Sequence, residues 1–310
     1  MNKRLIIVRI IIWAAIAIFL SGVLVRGIAY GGANKNIFNF ITFSKASPTV
    51  QKDETVSLDG CNEIKIDFSS DDIIVRTTDE SKMRVIEKSS KKLKENEKFT
   101  IKKENNTIKI EKDTININFN IFNFGSLSRE IEIYIPKNYI KDLDIHLSSG
   151  DVIFDSDINL NDLKCVQSSG DFNANSINAN KILLKSSSGD IEVENSKAKS
   201  YNIKTSSGDI AINSLSGTGE VLASSGDIKI EYKDISEYTK VTAQSGDIKL
   251  TMAKDLSFEF HGKCSSGDIT SNFELNYENE DKNKANAKVG KEPYKKIDVN
   301  TSSGDIKILQ

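Results

Sequence analysis

Cysteine, proline, histidine and tryptophan are all scarce in this 310-residue chain, at three, three, two and one residues. No Cys-x-x-Cys occurs, and the two histidines, His146 and His261, lie far apart in sequence, so nothing has the spacing of a zinc site. Of the three cysteines, Cys61, Cys165 and Cys264, the last two fall five repeat steps apart. At the spacing of adjacent strands that is about 24 Å, far beyond disulfide reach. Trp13 is the single tryptophan, which weakens a sugar-stacking reading. Charge of one sign is also lacking: 42 Lys and Arg stand against 44 Asp and Glu, which gives no global attraction to nucleic acid.

What the chain has in abundance is one phrase. Ser-Ser-Gly-Asp is complete at Ser148–Asp151, Ser168–Asp171, Ser187–Asp190, Ser206–Asp209, Ser224–Asp227, Ser265–Asp268 and Ser302–Asp305, with Gln-Ser-Gly-Asp at Gln244–Asp247. Its glycines, Gly150, Gly170, Gly189, Gly208, Gly226, Gly246, Gly267 and Gly304, are 20, 19, 19, 18, 20, 21 and 37 residues apart. A period near 19 held over six steps is a repeat architecture. Two residues past each glycine stand Val152, Phe172, Ile191, Ile210, Ile228, Ile248, Ile269 and Ile306, all apolar. Four past it the apolar pattern recurs, with Ser271 the exception, and polar residues such as Glu192 and Lys229 lie between. The segment before the phrase alternates too, with Gly262 breaking an otherwise apolar column. Alternation of this kind is a strand with one buried face. Glycine supplies the positive φ of a sharp corner, and serine and aspartate can bond the turn's own backbone. One repeat cannot bury its apolar face alone, but a stack can. The pattern predicts an all-β fold, a parallel β-helix or solenoid with coils of ~19 residues, right-handed by the general preference of parallel crossovers.

In chain order, residues 1–29 read as a cytoplasmic tip and one N-terminal transmembrane helix. Lys3, Arg4 and Arg9 precede Ile10–Val25, a run of 16 residues without a charge, and the basic start predicts the rest of the chain outside. A cleaved signal peptide ending near Ala29-Tyr30-Gly31 is the competing reading. Residues 30–56 read as a tether, in which Phe38, Phe40 and Phe43 could rest at the membrane surface. Residues 57–310 read as the solenoid. Its coils are degenerate over 57–145, where Ser69-Ser70-Asp71-Asp72 replaces the phrase and Asp71 takes the glycine's place. The charged run Lys88–Lys98 reads as a solvated hairpin tip, and Ile115–Phe124 as a strand whose Phe122 and Phe124 could form a contact patch. The phrase-bearing coils occupy 146–310, with a charged loop at 278–296 inserted into the final coil. Valine is expected to be worse tolerated at Gly208 in the stack than at Gly290 in that loop.

The repeated aspartates, Asp151 through Asp305, are the one recurring ionisable set. They read first as corner supports, whose carboxylates accept backbone N–H and serine hydroxyl bonds. A calcium ladder through Asp190, Asp209 and Asp227 is the alternative, although Gly-Asp calcium solenoids use a denser pattern. All eight share one local context, which argues for structure and against catalysis, since catalysis needs one distinguished site. No catalytic or cofactor-binding residue is therefore assigned.

The phrase ladder, preceded by Glu130-Ile131-Glu132-Ile133-Tyr134-Ile135-Pro136, resembles a β-helical bacterial family of unknown function labelled "putative adhesin", over about Leu58 to Gln310. The N-terminal run resembles that of its membrane-attached members, some of them encoded beside cell-envelope stress systems. The resemblance implies a non-enzymatic, extracytoplasmic module held in the cell membrane by a single span, with an envelope or surface protein or polysaccharide as partner and no nucleic acid. The runner-up is a β-helix enzyme acting on cell-wall or extracellular polysaccharide; a lateral cleft of mixed Asp and Lys would favour it, a featureless flank the surface module.

Overall fold

The computed structural model describes residues 47–112 and 128–310. The expected membrane helix, the cleavage site, Phe38, Phe40 and Phe43, and the strand Ile115–Phe124 with its contact patch lie outside the described residues. Among the described residues no helix is long and apolar enough to cross a membrane.

The described residues form 21 strands that join in one sheet, most of them with alternating burial. The first part comprises β1 (Thr49–Val56), β2 (Glu63–Phe68), β3 (Asp72–Thr78), β4 (Met83–Ser89), β5 (Thr100–Glu104), β6 (Thr107–Glu111), β7 (Arg129–Pro136), β8 (Asp142–Ser149) and β9 (Val152–Phe154). Five long strands follow: β10 (Ile158–Ser169), β11 (Phe172–Ser188), β12 (Ile191–Ser207), β13 (Ile210–Ser225) and β14 (Ile228–Ser245). The last part holds β15 (Ile248–Met252), β16 (Phe258–Ser266), β17 (Ile269–Ser271), β18 (Asn276–Tyr277), β19 (Lys284–Val289), β20 (Lys295–Ser303) and β21 (Ile306–Leu309).

Parallel, in-register pairing turns the repeat into columns. The residue two past each corner forms one continuous buried column: Ile131, Ile73, Val152, Phe172, Ile191, Ile210, Ile228, Ile248, Ile306, Ile269. Each member is at most 2% exposed, so the core is a row of like side chains stacked at the strand spacing. Gly262, the gap in the pre-corner column, is filled by a neighbour: a Cβ there would lie 2.4 Å from the Phe260 ring.

The coils do not stack in chain order at either end. β14 pairs with β20, and β20 with β16, so the last coil is wedged between the two before it. Gly304 therefore stands between Gly246 and Gly267. At the other end β2 pairs with both β6 and β8, and β3 with both β7 and β9, so the degenerate Ser69–Asp72 corner sits one coil in from the edge. The charged segment 278–296 is thus not a loop within one coil. It carries β19, antiparallel to β16, with Ala285 and Ala287 buried beneath its charges. Two alanines among lysines and glutamates give too weak an alternation to read as a strand. Lys88–Lys98 likewise is no hairpin tip: Leu93 is buried, and β4 pairs with β1 and β7 instead of β5. β1 draws Thr49–Val56, part of the expected tether, into the sheet.

Antiparallel strands close both ends of the stack. β4 and β1 cover β7, β5 covers β6, and β19 with β18 covers β16. A parallel stack would otherwise offer open edges to further strands, and such covering is how β proteins avoid edge-to-edge association.

Cys264 pairs with Thr301, whereas stacking in chain order would put it beside Ala243. Paired positions have the Cα separation a disulfide needs. Under mild oxidation Thr301→Cys is expected to crosslink to Cys264, and Ala243→Cys is not. Crosslinking of Ala243→Cys alone would restore chain-order stacking.

Candidate functional site

The corner is built by steric necessity. Each phrase glycine has φ between +109° and +142°. A methyl group at Gly170, Gly189 or Gly226 would sit 2.0 Å from the carbonyl oxygen of the glycine one coil away, and at Gly208 2.1 Å. The residue is fixed twice, by its dihedral and by the coil beneath it. Asp71 departs from the expected pattern. It has a negative φ, is 2% exposed, and pairs with Lys112 at 2.6 Å, where Lys112 also meets the buried Glu87 at 3.0 Å. At that inner coil a buried ion pair stands where the others have a glycine.

The aspartates answer their own repulsion through the backbone. Stacked at about 4.8 Å, neighbouring carboxylates repel by about 0.9 kcal/mol in water and about 3.5 at an effective dielectric of 20. Each carboxylate Oδ1, except that of the last aspartate in the row, accepts the backbone N–H of the aspartate in the next coil. The series runs from Asp72 to Asp151 (3.0 Å), Asp171 and Asp190 (2.9 Å each), Asp209, Asp227, Asp247 and Asp305 (2.8 Å each), and ends at Asp268 (2.9 Å). A hydrogen bond to a charged acceptor contributes about 1.5–3 kcal/mol, enough to offset the repulsion of a solvated row. Serine hydroxyls are not the partners. The Oδ1 atoms of Asp190, Asp209 and Asp227 are engaged in this way, and among the described residues no three Asp, Glu, His or Cys side chains gather to hold a metal.

Beside the aspartate row lies an open concavity of ≈ 650 Å³, lined by Asp190, Asp209, Asp227, Asp247 and Asp305 and by the next outward column, Glu192, Ala211, Lys229, Lys249, Lys307 and Thr270. A smaller hollow of ≈ 140 Å³ continues along the same wall past Asn173 and Glu194 to Asp155. The lateral face is therefore a trough of mixed Asp and Lys and not a featureless flank.

Two clusters escape the repeat. Asp144 and His146 on β8 meet Lys164 on β10: His146 Nε2 lies 3.0 Å from Asp144 Oδ1, and Lys164 Nζ lies 3.1 Å from Asp144 Oδ2 and 3.0 Å from His146 Nε2. Sequence reading missed this group because it judged histidines against each other and not against residues one coil away; Asp144 and Lys164 are separated by one repeat. Toward the end that β4 covers, Glu132 accepts from Arg76 at 2.5 Å and pairs with Lys88 at 2.8 Å, and Arg76 also donates to Asp155 at 2.9 Å. Burial raises the Glu132 carboxyl, but hydrogen bonds from Lys88 and Arg76 outweigh it and hold the group below its ordinary value.

All three cysteines are free and buried. Burial pushes the Cys165 thiol well up, far from a reactive thiolate. Inside the stack, Tyr201 and Tyr232 both bond the Thr239 hydroxyl, at 2.8 and 2.7 Å, and burial pushes the Tyr201 phenol up to about 12. The Tyr201 ring needs Gly219 beside it, where a Cβ would lie 2.7 Å from Cδ2. This trio is a satisfied core network.

The Toastrack DUF4097 family matches residues 61–309. Solved structures similar to the chain include a "putative adhesin" from Bacteroides fragilis, at 15% identity and TM-score 0.48, covering 85% of this chain and 98% of that one. A "putative cell adhesion protein" from Clostridium sporogenes has 13% identity and TM-score 0.32, covering 85% and 100%. A "putative lipid binding protein" from Parabacteroides distasonis has 14% identity and TM-score 0.45, covering 84% and 96%. No curated protein matches.

Gly290 is a poor comparison for Gly208, because it too has a positive φ, +85°, and a Cβ there would lie 2.3 Å from Ser257 Oγ. Gly60 separates the two effects: φ is +70° with nothing within 4 Å of its Cβ. Alanine at Gly60 should cost about 1–2 kcal/mol, the left-handed strain alone. Alanine at Gly208 should cost clearly more, since backbone must move; equal melting temperatures would show that the stack does not confine the corner.

The Glu132 ion pairs make a pH prediction. A carboxyl held lower in the folded state stabilises it above the unfolded value, ordinarily 4.5, and that contribution is lost as pH falls through the folded value. Amides of β7 and β4 should therefore exchange relatively faster below pH 4.5 in wild type than in Glu132→Gln, with both at a common reference of pH 7.

Proposed function

Because the chain belongs to the Toastrack DUF4097 family, matched over residues 61–309, we propose that it is a non-enzymatic, membrane-anchored, extracytoplasmic β-solenoid, an adhesin-like or envelope-stress-associated surface module. The observation that carries the proposal is the sameness of the trough's aspartates. Every ladder carboxylate but Asp268, which ends the row, holds the next coil's N–H, so none within the row is set apart as an acid, base or nucleophile. Such a wall offers many weak contacts along its length, which suits avidity more than turnover. The run Ile10–Val25 after a basic start supports anchoring with the solenoid outside.

A second reading, an enzyme acting on cell-wall or extracellular polysaccharide, is favoured by two observations. The trough mixes Asp with Lys, and Asp144, His146 and Lys164 form a single non-repeating group of the type acid–base chemistry uses.

Two experiments separate the readings. Protease added to intact protoplasts should remove the bulk of the protein; full protection would refute the surface location, and release of a shortened mature form would select the signal peptide. Asp190→Asn, Asp227→Asn and His146→Ala should each leave binding to isolated envelope fractions within about twofold. If one of them abolished turnover of a cell-wall glycan with the fold intact, the module would be an enzyme.

A further inference from the structure

Lys229, Lys249 and Lys307 stand in adjacent coils, paired in register Lys229 to Lys249 and Lys249 to Lys307. All three are exposed and line the trough. Stacked like charges at the strand spacing repel as the ladder aspartates do, yet among the described residues none of these ammoniums forms an ion pair or hydrogen bond, even with the corner aspartate two residues earlier. The fold has a ready way to avoid this. In the outward column on the other side of the corner, the same coils carry Glu220, Lys240 and Asp298, which alternate in sign from coil to coil. Beyond Lys229 the lysine column continues into Ala211, whose small side chain leaves the floor of the concavity low, and beyond Lys307 into Thr270.

We propose that this row binds a linear acidic glycan of the polyuronate type, laid along the trough so that the carboxylates on its lysine-facing side meet the row. The partner's chemistry follows from three features. Three cations in a row along one wall match a linear polymer that carries carboxylates at regular intervals. The open concavity admits a chain passing through it, where a closed pocket would hold only an end. The aspartates alongside, with one carboxylate oxygen each committed to the backbone, retain acceptor capacity for sugar hydroxyls and disfavour a ligand of dense negative charge. The inference rests on the surface-module reading and names its ligand class.

The test uses the full-length chain in detergent micelles with polygalacturonate as probe, and dextran and long-chain polyphosphate as comparisons. Polygalacturonate should bind without being shortened, dextran should not bind, and raising salt from about 50 to about 300 mM should weaken binding severalfold, because exposed charges are screened. Lys229→Gln/Lys249→Gln/Lys307→Gln should lower affinity at least tenfold. Lys181→Gln/Lys197→Gln/Lys199→Gln, which removes as many charges elsewhere, should change it less than threefold. Equal loss in both triple variants, equal binding of polyphosphate, or no binding of polygalacturonate would overturn the proposal. Protease accessibility on protoplasts is unaffected by any of these, so failure here is distinguishable from failure of the surface reading; shortening of the polymer would move the protein to the enzyme reading.

Discussion

Parallel coils stacked in register place every corner directly against the carbonyl of the corner beneath it, and the rest of the structure follows from that approach. A glycine is needed because the carbonyl of the next coil occupies the space of a Cβ, and positive φ is needed because the chain must turn without leaving its coil. The N–H of the residue that follows is then aimed along the stack, where the carboxylate of the neighbouring aspartate receives it. The ladder continues through the corner: the Gly208 N–H donates to the Ser225 carbonyl and the Ile210 N–H to the Asp227 carbonyl. The apolar columns pack only because these bonds hold the coils in register, since a slip by one residue would turn every isoleucine outward.

Like charges are relieved in two ways around this frame. The aspartates lean on backbone N–H groups. The pre-corner column alternates sign from coil to coil over Glu220, Lys240 and Asp298. The lysine column at Lys229, Lys249 and Lys307 has neither remedy, and so it is the row least explained by folding. The surface reading and its ligand therefore rest on different residues from those that hold the coil together.

The apolar columns and the corner were legible because they depend on residues at fixed offsets within one repeat, as Gly189, Asp190 and Ile191 do. The order of the coils was not. Nothing local distinguishes Ile306 stacked on Ile248 from Ile306 stacked on Ile269, because all coils present the same faces. The wedge is decided by the antiparallel return of Lys284–Val289, whose signal is two alanines among charges. Asp71 misled for a related reason: it fills the glycine's place in the alignment but answers to Lys112, a residue 41 positions away. The group formed by Asp144, His146 and Lys164 was legible in principle, since one period separates Asp144 from Lys164, but only once the repeat is used as a map of neighbours.

Amide hydrogen exchange at the ladder aspartates tests the central claim most directly. Asp209, Asp227 and Asp247 are solvent-exposed, yet their N–H groups are held by carboxylates at 2.8 Å. If the carboxylate-to-backbone ladder holds the stack, these amides should exchange near pH 7 as slowly as those of the buried isoleucines that follow them, Ile210, Ile228 and Ile248. Exchange at the rate of an unstructured peptide, with the isoleucine amides still protected, would contradict it.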